Sequence, residues 1–279
     1  MFVDTAGPDD APDLVLLHGG IGTGGSHWSK LARSLGEQYR VHLPDLPGHG
    51  RTPLPDRGSH SRDVLVDAVR SHLVALARPL HAGGFSLGGD ILLALAQSRP
   101  DLFSSLVLVG VSIREHEGLK AWRDRFDPDR LEREYPVWAR HLSKLHAPLG
   151  GPDAWREVCR RDAGGIALDV DLEALSGLKC PVLLVRGDRD PAVEPGQYAE
   201  LREVWPQADE FVVPAGGHEV QLTRFRLVQP ALVDFLSRAS RAMRHIASEG
   251  LMRDNVARPR GRDVAVSRRA PGRSAERGW

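Results

Sequence analysis

The sequence predicts an α/β fold, with a mostly parallel sheet flanked by helices and a helical cap inserted into it. Short apolar runs alternate with stretches of helical spacing, as expected of parallel strands joined by crossover helices. Between 113 and 176 the alternation stops, and only helical patterns separated by prolines and glycines remain. A serine inside a glycine-rich turn follows one expected strand and precedes an apolar helix. The turn should place this serine at the carboxyl edge of the sheet.

Seven strands are expected. The first is a short edge strand before a Gly-Pro-Asp-Asp turn, and the others are apolar runs bounded by turn residues. The fourth is weak in strand-forming residues, and its assignment depends on the serine turn that follows it. In chain order the strands cover 2–5, 14–17, 40–43, 80–83, 106–110, 182–185 and 211–213.

Five helices are expected outside the cap, from apolar residues at helical spacing. Ser26 is expected to cap the first helix, and a proline closes the third. In chain order these helices cover 28–35, 61–77, 91–96, 198–204 and 229–236.

Composition indicates a globular protein. Of the 279 residues, 41% are hydrophobic and 27% charged, which is ordinary for a soluble domain. The two cysteines, Cys159 and Cys180, fit free thiols in a reducing compartment. No apolar run reaches the roughly 18 residues of a membrane span, and the N-terminus does not resemble a signal peptide. We therefore expect a cytoplasmic protein.

Charge divides the chain at about residue 241. From there on, ten arginines stand against four acids, so the tail carries +6 and the preceding residues carry −6. We expect an α/β core in 1–112 and 177–240, a helical cap in 113–176 and a disordered basic tail in 241–279, with a helical start continuing the last helix. No nucleic-acid partner is expected, and docking of an acidic partner by the tail stays an alternative.

Ser86, in Gly84-Phe85-Ser86-Leu87-Gly88-Gly89, is the candidate nucleophile. Small residues two positions before and after a serine permit a sharp strand-to-helix turn that exposes its hydroxyl. A serine hydroxyl needs a neighbouring base, because it is a poor nucleophile at neutral pH. His218, in a glycine-rich loop after the last strand, is the candidate base.

A carboxylate must orient such a histidine. Asp190, in the loop after the sixth strand, is the preferred candidate, with Asp188 and Glu115 as alternatives. Two backbone amides should converge on a carbonyl oxygen that gains negative charge, and those of Leu87 and Gly20 are expected to do so.

Other polar and aromatic residues are given structural roles. His49 is expected to brace a tight loop, and Asp90 to complement the dipole of the helix after Ser86. Trp28 either packs its helix or lines a pocket. We expect about two of five cap aromatics to face a substrate: Trp122, Phe126, Tyr135, Trp138 and Trp155. No metal-ligand spacing and no dinucleotide fingerprint occur, so neither a metal nor a cofactor is expected.

Five motifs in order resemble those of the α/β-hydrolase superfamily. They are the turn at 18–20, the loop at 45–52, the serine turn at 84–89, the acid loop at 187–190 and the histidine loop at 217–218, within a match of about 2 to 237. The chain departs from that family in its shortened N-terminal hairpin and in Phe85, where histidine or tyrosine is common.

The resemblance implies a serine hydrolase that cleaves a small or medium carboxylic ester, lactone or related acyl bond through an acyl-enzyme. The same residues also serve thioesterases, carbon–carbon bond hydrolases, acyltransferases and non-catalytic small-molecule receptors of this fold. Sequence leaves these alternatives open, and it does not determine the oligomeric state. Ser86 argues against dehalogenases and epoxide hydrolases, which use aspartate at this position.

Overall fold

A computed structural model of the chain describes residues 1–55, 60–76, 79–166 and 170–256, with the backbone alone from 244 to 256. Met1–Arg241 is one compact unit, and a second begins at Ala242. All seven expected strands form. They are β1 (Val3–Ala6), β2 (Asp13–Leu17), β3 (Arg40–Pro44), β4 (Leu80–Phe85), β5 (Phe103–Val109), β6 (Val182–Gly187) and β7 (Asp209–Val213).

The strands form a single sheet in the order β1-β3-β2-β4-β5-β6-β7. Only β1 runs antiparallel to its neighbour, and the six other strands are parallel. The weak sequence of β4 is therefore overridden by its place at the centre of the sheet, between β2 and β5. The carboxyl ends of β2, β4, β5, β6 and β7 consequently meet at one edge.

Eleven α-helices lie in the described ranges. They are α1 (Gly24–Leu35), α2 (Arg62–Ala75), α3 (Leu87–Ser98), α4 (Glu117–Arg123), α5 (Pro128–Glu134), α6 (Pro136–His146), α7 (Ala154–Gly164), α8 (Leu172–Leu175), α9 (Pro195–Val204), α10 (Val220–Thr223) and α11 (Phe225–Val256). Short 3-10 helices occupy Pro100–Leu102, Asp124–Phe126 and Ala147–Leu149.

The start of α1 differs from the sequence-based expectation. Thr23, not Ser26, is the N-cap, and its hydroxyl accepts from the Ser26 amide while the Ser26 hydroxyl accepts from the Thr23 amide. The prediction was wrong because a reciprocal cap uses two hydroxyl residues three positions apart, and the second of them lies inside the helix.

Apolar side chains cover both faces of the sheet. One face packs against α2, α3 and α9 through residues such as Leu65, Ile91 and Tyr198. The other packs against α1 and α11, where Trp28 and Leu232 are almost inaccessible. Each such side chain contributes about 1.5–3 kcal/mol by leaving water. Two covered faces explain why the parallel strands read as continuous apolar runs.

Helices α4 to α8 lie between β5 and β6, where the sequence predicted a cap. Part of this region has its own apolar cluster, which includes Phe126, Leu142, Trp155 and Cys159. Ile21, from the turn after β2, belongs to the same cluster. The cap thus packs on a residue of the core as well as on itself.

The last helix is longer than predicted, because α11 continues to Val256 and includes Pro230. The helical start allowed for the basic tail is therefore present. Most of the predicted disordered tail, 257–279, lies outside the described residues. Within the described ranges, no helix combines the length and the apolar character that crossing a membrane requires.

Candidate active site

Ser86 lies in a strained turn between β4 and α3. Its φ is 48°, in a region that non-glycine residues rarely adopt. The Ser86 amide donates to the carbonyl of Val109 on β5, and its carbonyl accepts from the amide of Asp90 in α3. These two bonds, each 2.9 Å long, hold the turn between the sheet and the helix.

Glycines make this turn sterically possible. A Cβ atom on Gly84 would lie 2.6 Å from the backbone of Gly88, and one on Gly88 would lie 2.6 Å from the carbonyl oxygens of Leu17 and His18. Both distances are too short for a carbon, so the close approach of β4, α3 and the end of β2 requires glycine. The pattern of small residues around Ser86 is thus explained by backbone packing.

His218 and Asp190 form a buried pair at the carboxyl edge of the sheet. Nδ1 of His218 lies 2.9 Å from Oδ2 and 3.0 Å from Oδ1 of Asp190. Oδ1 of Asp190 also accepts from the Ala192 amide at 2.9 Å. The carboxylate therefore holds the Nδ1–H tautomer, which leaves Nε2 of His218 as the basic nitrogen.

The two rival carboxylates have other partners. Asp188 accepts from the Gly216 amide at 3.1 Å and so ties the acid loop to the histidine loop. Glu115 forms an ion pair with Arg123 of α4. Among the three predicted candidates, only Asp190 contacts His218 in the described part of the chain.

Ser86 and His218 line the same cleft. Nε2 of His218 is buried and has no hydrogen-bond partner among the described residues, so the Ser86 hydroxyl does not yet donate to it. Such contacts are often long without substrate and tighten when it binds. The arrangement therefore leaves an unpaired basic nitrogen in the cleft that contains the serine.

The turn after β2 presents three consecutive amides. The Gly19 amide donates to Nδ1 of His27 at 3.1 Å, and the Ile21 amide donates to Oδ2 of Asp162 from the cap. The Gly20 amide between them has no acceptor among the described residues, and Gly20 lines the cleft. Leu87, the first residue of α3, also lines the cleft, and helix geometry gives its amide no intrahelical acceptor.

Buried histidines brace this turn. Nε2 of His18 accepts from the Leu46 amide at 2.9 Å, so its Nδ1 carries the proton and donates to the Gly19 carbonyl. Burial, and to a smaller extent the nearby His49, lowers the pKa of His18 well below its ordinary value. His49 contacts Asp162 across the cap boundary, with 2.9 Å between Nε2 and Oδ2.

A candidate metal site is formed by His49, His60 and Asp162, because one potential ligand atom from each lies within 4.8 Å of the others. Oδ2 of Asp162 is already engaged by the Ile21 amide and by His49. Nε2 of His60 lies 3.5 Å from Oδ1 of Asp162, and neither this oxygen nor the two His60 nitrogens have a hydrogen-bond partner among the described residues. Spacing in the sequence did not predict it, because His49 and Asp162 are 113 positions apart.

The cap contributes much of the apolar wall. Trp122, Phe126 and Trp138 line the cleft, whereas Trp155 is buried in the cap cluster and Tyr135 is mostly exposed. Three aromatics rather than two thus face the cleft. Trp28 is fully buried, and its indole N–H donates to the Leu17 carbonyl at 2.8 Å, so it packs the core.

Asp90 lines the cleft one turn after Ser86, and sequence analysis gave it a different role. Burial raises the pKa of its carboxyl to about 8, and Oδ1 has no partner among the described residues. At neutral pH the carboxyl of Asp90 is therefore largely uncharged. It does not complement the dipole of α3, contrary to the prediction. The spacing of four residues from Ser86 could have indicated this position, because i and i+4 share a helix face.

Comparison with known proteins gives consistent matches. A model described as "Alpha/beta hydrolase family" matches residues 14–233. A pimeloyl-[acyl-carrier protein] methyl ester esterase from Chromobacterium violaceum is 29% identical over 259 residues, which cover 85% of this chain and 98% of that protein. A pyrrolizixenacetamide deacetylase from Xenorhabdus hominickii is 26% identical, with coverage of 67% and 76%.

Solved structures share the architecture. A meta-cleavage product hydrolase from Pseudomonas fluorescens superposes with a TM-score of 0.68 at 22% identity, covering 85% of this chain and 94% of that one. At this identity the likeness concerns the fold alone. This chain therefore shares its fold with that solved structure.

Proposed function

This chain belongs to the alpha/beta hydrolase family, and we propose that it cleaves a carboxylic ester with Ser86 as nucleophile. The single observation that carries the proposal is the unpaired Nε2 of a histidine held by Asp190, in the same cleft as a serine on a strained turn. The methyl ester esterases among its relatives agree with the predicted ester hydrolase.

In the first half of the reaction, Oγ of Ser86 bonds to the ester carbonyl carbon while Nε2 of His218 takes the hydroxyl proton. Negative charge moves to the carbonyl oxygen, where the amides of Gly20 and Leu87 donate to it. One such donor is typically worth about 3–4 kcal/mol of transition-state stabilisation. His218 then protonates the departing alcohol as the carbon–oxygen bond breaks, which leaves the acyl group on Ser86.

In the second half, water replaces the alcohol. His218 takes a proton from the water as its oxygen bonds to the acyl carbon, and the same two amides stabilise the second oxyanion. The bond to Ser86 breaks, Nε2 returns the proton to Oγ, and the carboxylic acid leaves. Asp190 remains ionised and stabilises the imidazolium in both halves.

The substrate is proposed to be a methyl or other short-alkyl ester of a small or medium acyl chain. Trp122, Phe126 and Trp138 give the cleft an apolar wall suited to such a chain. The relative from Chromobacterium violaceum carries the name of a methyl ester esterase, which supports the same class. The proposal does not extend to the acyl-carrier-protein substrate that the name of this relative gives. A cytoplasmic location stays a prediction.

Hydrolysis of p-nitrophenyl butyrate, with Ser86→Ala as the matched variant, tests the proposal. We expect turnover by the native protein, loss of more than about a thousandfold in the variant, and labelling of Ser86 by a fluorophosphonate in the native protein only. Turnover of a thioester or a carbon–carbon substrate in preference to esters would select that alternative. Failure of both turnover and labelling would favour a receptor.

A further inference from the structure

Ile21, next to the glycine whose amide is proposed to hold the oxyanion, is held by the cap in three ways. Its amide donates to Oδ2 of Asp162 on α7, and its carbonyl accepts from Nε2 of His146 on α6 at 3.0 Å. Its side chain is 5% exposed and belongs to the apolar cluster of the cap. Both polar backbone groups and the side chain of one core residue are therefore bound by cap residues.

The conformation of Ile21 requires such contacts. Its φ is 50°, which places a β-branched side chain in the left-handed region. A β-branched residue with positive φ is a genuine outlier, and it persists only where surrounding contacts impose it. Among the described residues, the polar contacts of the Ile21 backbone are those to Asp162 and His146.

The protonation of His146 is fixed by its neighbours. The Gly50 amide donates to Nδ1 at 3.0 Å, so the ring proton is on Nε2 and points to the Ile21 carbonyl. Burial lowers the pKa of His146 to about 4, which keeps the ring neutral at physiological pH. His146 thus acts as a fixed donor to the turn.

Asp162 is anchored from the other side by His49. Both ring nitrogens of His49 face acceptors, Nδ1 the Pro47 carbonyl at 3.2 Å and Nε2 the Asp162 carboxylate at 2.9 Å, so the ring is protonated on both. Burial, the largest single influence, opposes the charge of His49, but the Asp162 carboxylate, the Pro47 carbonyl and Asp45 together raise the pKa of His49 above its ordinary value. The same pair lowers the pKa of Asp162 to about 2 despite burial. A buried ion pair therefore joins α7 to the loop after β3.

We propose that Asp162 and His146 are positioning residues. By binding the turn at 19–21 from the cap, they orient the Gly20 amide towards the oxyanion. The Gly19 amide is bound by His27 and the Ile21 amide by Asp162, which fixes the two peptides that flank the peptide carrying the Gly20 amide. A Cβ on Gly20 would lie 3.2 Å from Oδ2 of Asp162, so the carboxylate is in van der Waals range of the turn. This inference rests on the proposed function of Ser86 and Gly20.

The test compares Asp162→Asn and His146→Ala with Cys159→Ala, a control in the same cap cluster that provides neither of these two bonds. We expect kcat on p-nitrophenyl butyrate to fall 10- to 100-fold in the first two variants, with KM changed less than threefold. The control should keep kcat within threefold of the native protein. Thermal unfolding of each variant verifies that it is folded under the assay conditions.

A transition-state readout separates positioning from general loosening of the cap. A trifluoromethyl ketone adds to Ser86 and leaves an oxyanion facing the turn, whereas butyrate, the product acid, binds without forming that charge. We expect the affinity for the ketone to fall 10- to 100-fold in Asp162→Asn and His146→Ala, and the affinity for butyrate to change less than threefold. Equal losses for the two ligands would overturn the proposal.

Two further outcomes keep the inference distinct from the proposed function. If native Ser86 is not labelled by a fluorophosphonate, the proposed function fails first. If Ser86 is labelled and both variants turn over at the native rate, only the positioning inference fails. A stoichiometric metal in the purified protein, with activity lost on chelation, would replace the ion pair by a metal site and would also overturn it.

Discussion

The ring centres of Trp122 and His218 lie 5.0 Å apart in a T-shaped contact. Trp122 is on cap helix α4, whereas His218 follows the last strand of the sheet. The cap thus provides one wall around the proposed base, and its apolar surface extends along the cleft through Phe126 and Trp138. Selection of the acyl chain should consequently depend on this wall.

Replacing Trp122 by alanine should alter chain-length selectivity. Removing the indole takes apolar contact from a longer acyl chain but little from an acetyl group, so kcat/KM should fall about 10- to 100-fold for hexanoyl esters and less than about threefold for acetyl esters. Rates on a p-nitrophenyl ester series measure this. Tyr135→Ala is the matched control, because Tyr135 is 54% exposed and does not line the cleft. Equal losses along the series would contradict the assignment.

Replacing Asp190 by asparagine should lower kcat by about ten thousandfold, because the amide no longer holds the Nδ1–H tautomer of His218 or stabilises its charge. Asp188→Asn is the control. Among the described residues its carboxylate accepts from the Gly216 amide alone, so we expect a loss of less than about tenfold from loosening of the histidine loop. Steady-state kinetics at neutral pH compare the two variants, and a larger loss in Asp188→Asn would reverse their roles.

Sequence was sufficient for the sheet because its strands depend on local patterns. Apolar runs and glycine-rich turns each consist of consecutive residues. The family prediction that they supported is confirmed by the match over residues 14–233. The roles of Ser86, Asp190 and His218 stay predictions. In the structure Asp190 contacts His218, whereas the alternative carboxylate of Asp188 accepts from a backbone amide.

Sequence was not sufficient for the contacts between the cap and the core. Asp162 meets His49 across 113 positions and Ile21 across 141, and no local pattern encodes either contact. The charge state of Asp90 was also missed, because its burial, not its place in the first turn of α3, raises the pKa of its carboxyl. Such properties arise only once distant elements pack together.

Gly88→Ala should destabilise the protein although it favours helix formation. The new Cβ would lie 2.6 Å from carbonyl oxygens of Leu17 and His18, so β2 and α3 must separate at a cost of about 1–3 kcal/mol. Gly25→Ala is the control, because that Cβ meets nothing within 4 Å in α1, and a gain of about 0.5–1 kcal/mol is expected. Denaturant unfolding measures both, and a stable Gly88→Ala would contradict the proposed packing.

Asp90→Asn should change the pH dependence of both stability and rate. The folded pKa of Asp90 is about 8, above its ordinary value of 3.8, because burial disfavours the carboxylate. Between these values the folded state binds the proton more tightly than the unfolded state, so rising pH removes stability from the native protein but not from the variant. The difference in Tm, variant minus native, should therefore be small at pH 4 and grow up to about pH 8.

The rate should follow the same ionisation. Above about pH 8 a carboxylate one turn from Ser86 adds negative charge near the developing oxyanion, and the cationic Arg62 and Arg123 offset it only in part, with Glu115 opposing them. We expect native kcat to fall about tenfold relative to Asp90→Asn between pH 7 and 9. A ratio that stays constant over this range, together with a constant difference in Tm, would show that Asp90 does not ionise near pH 8.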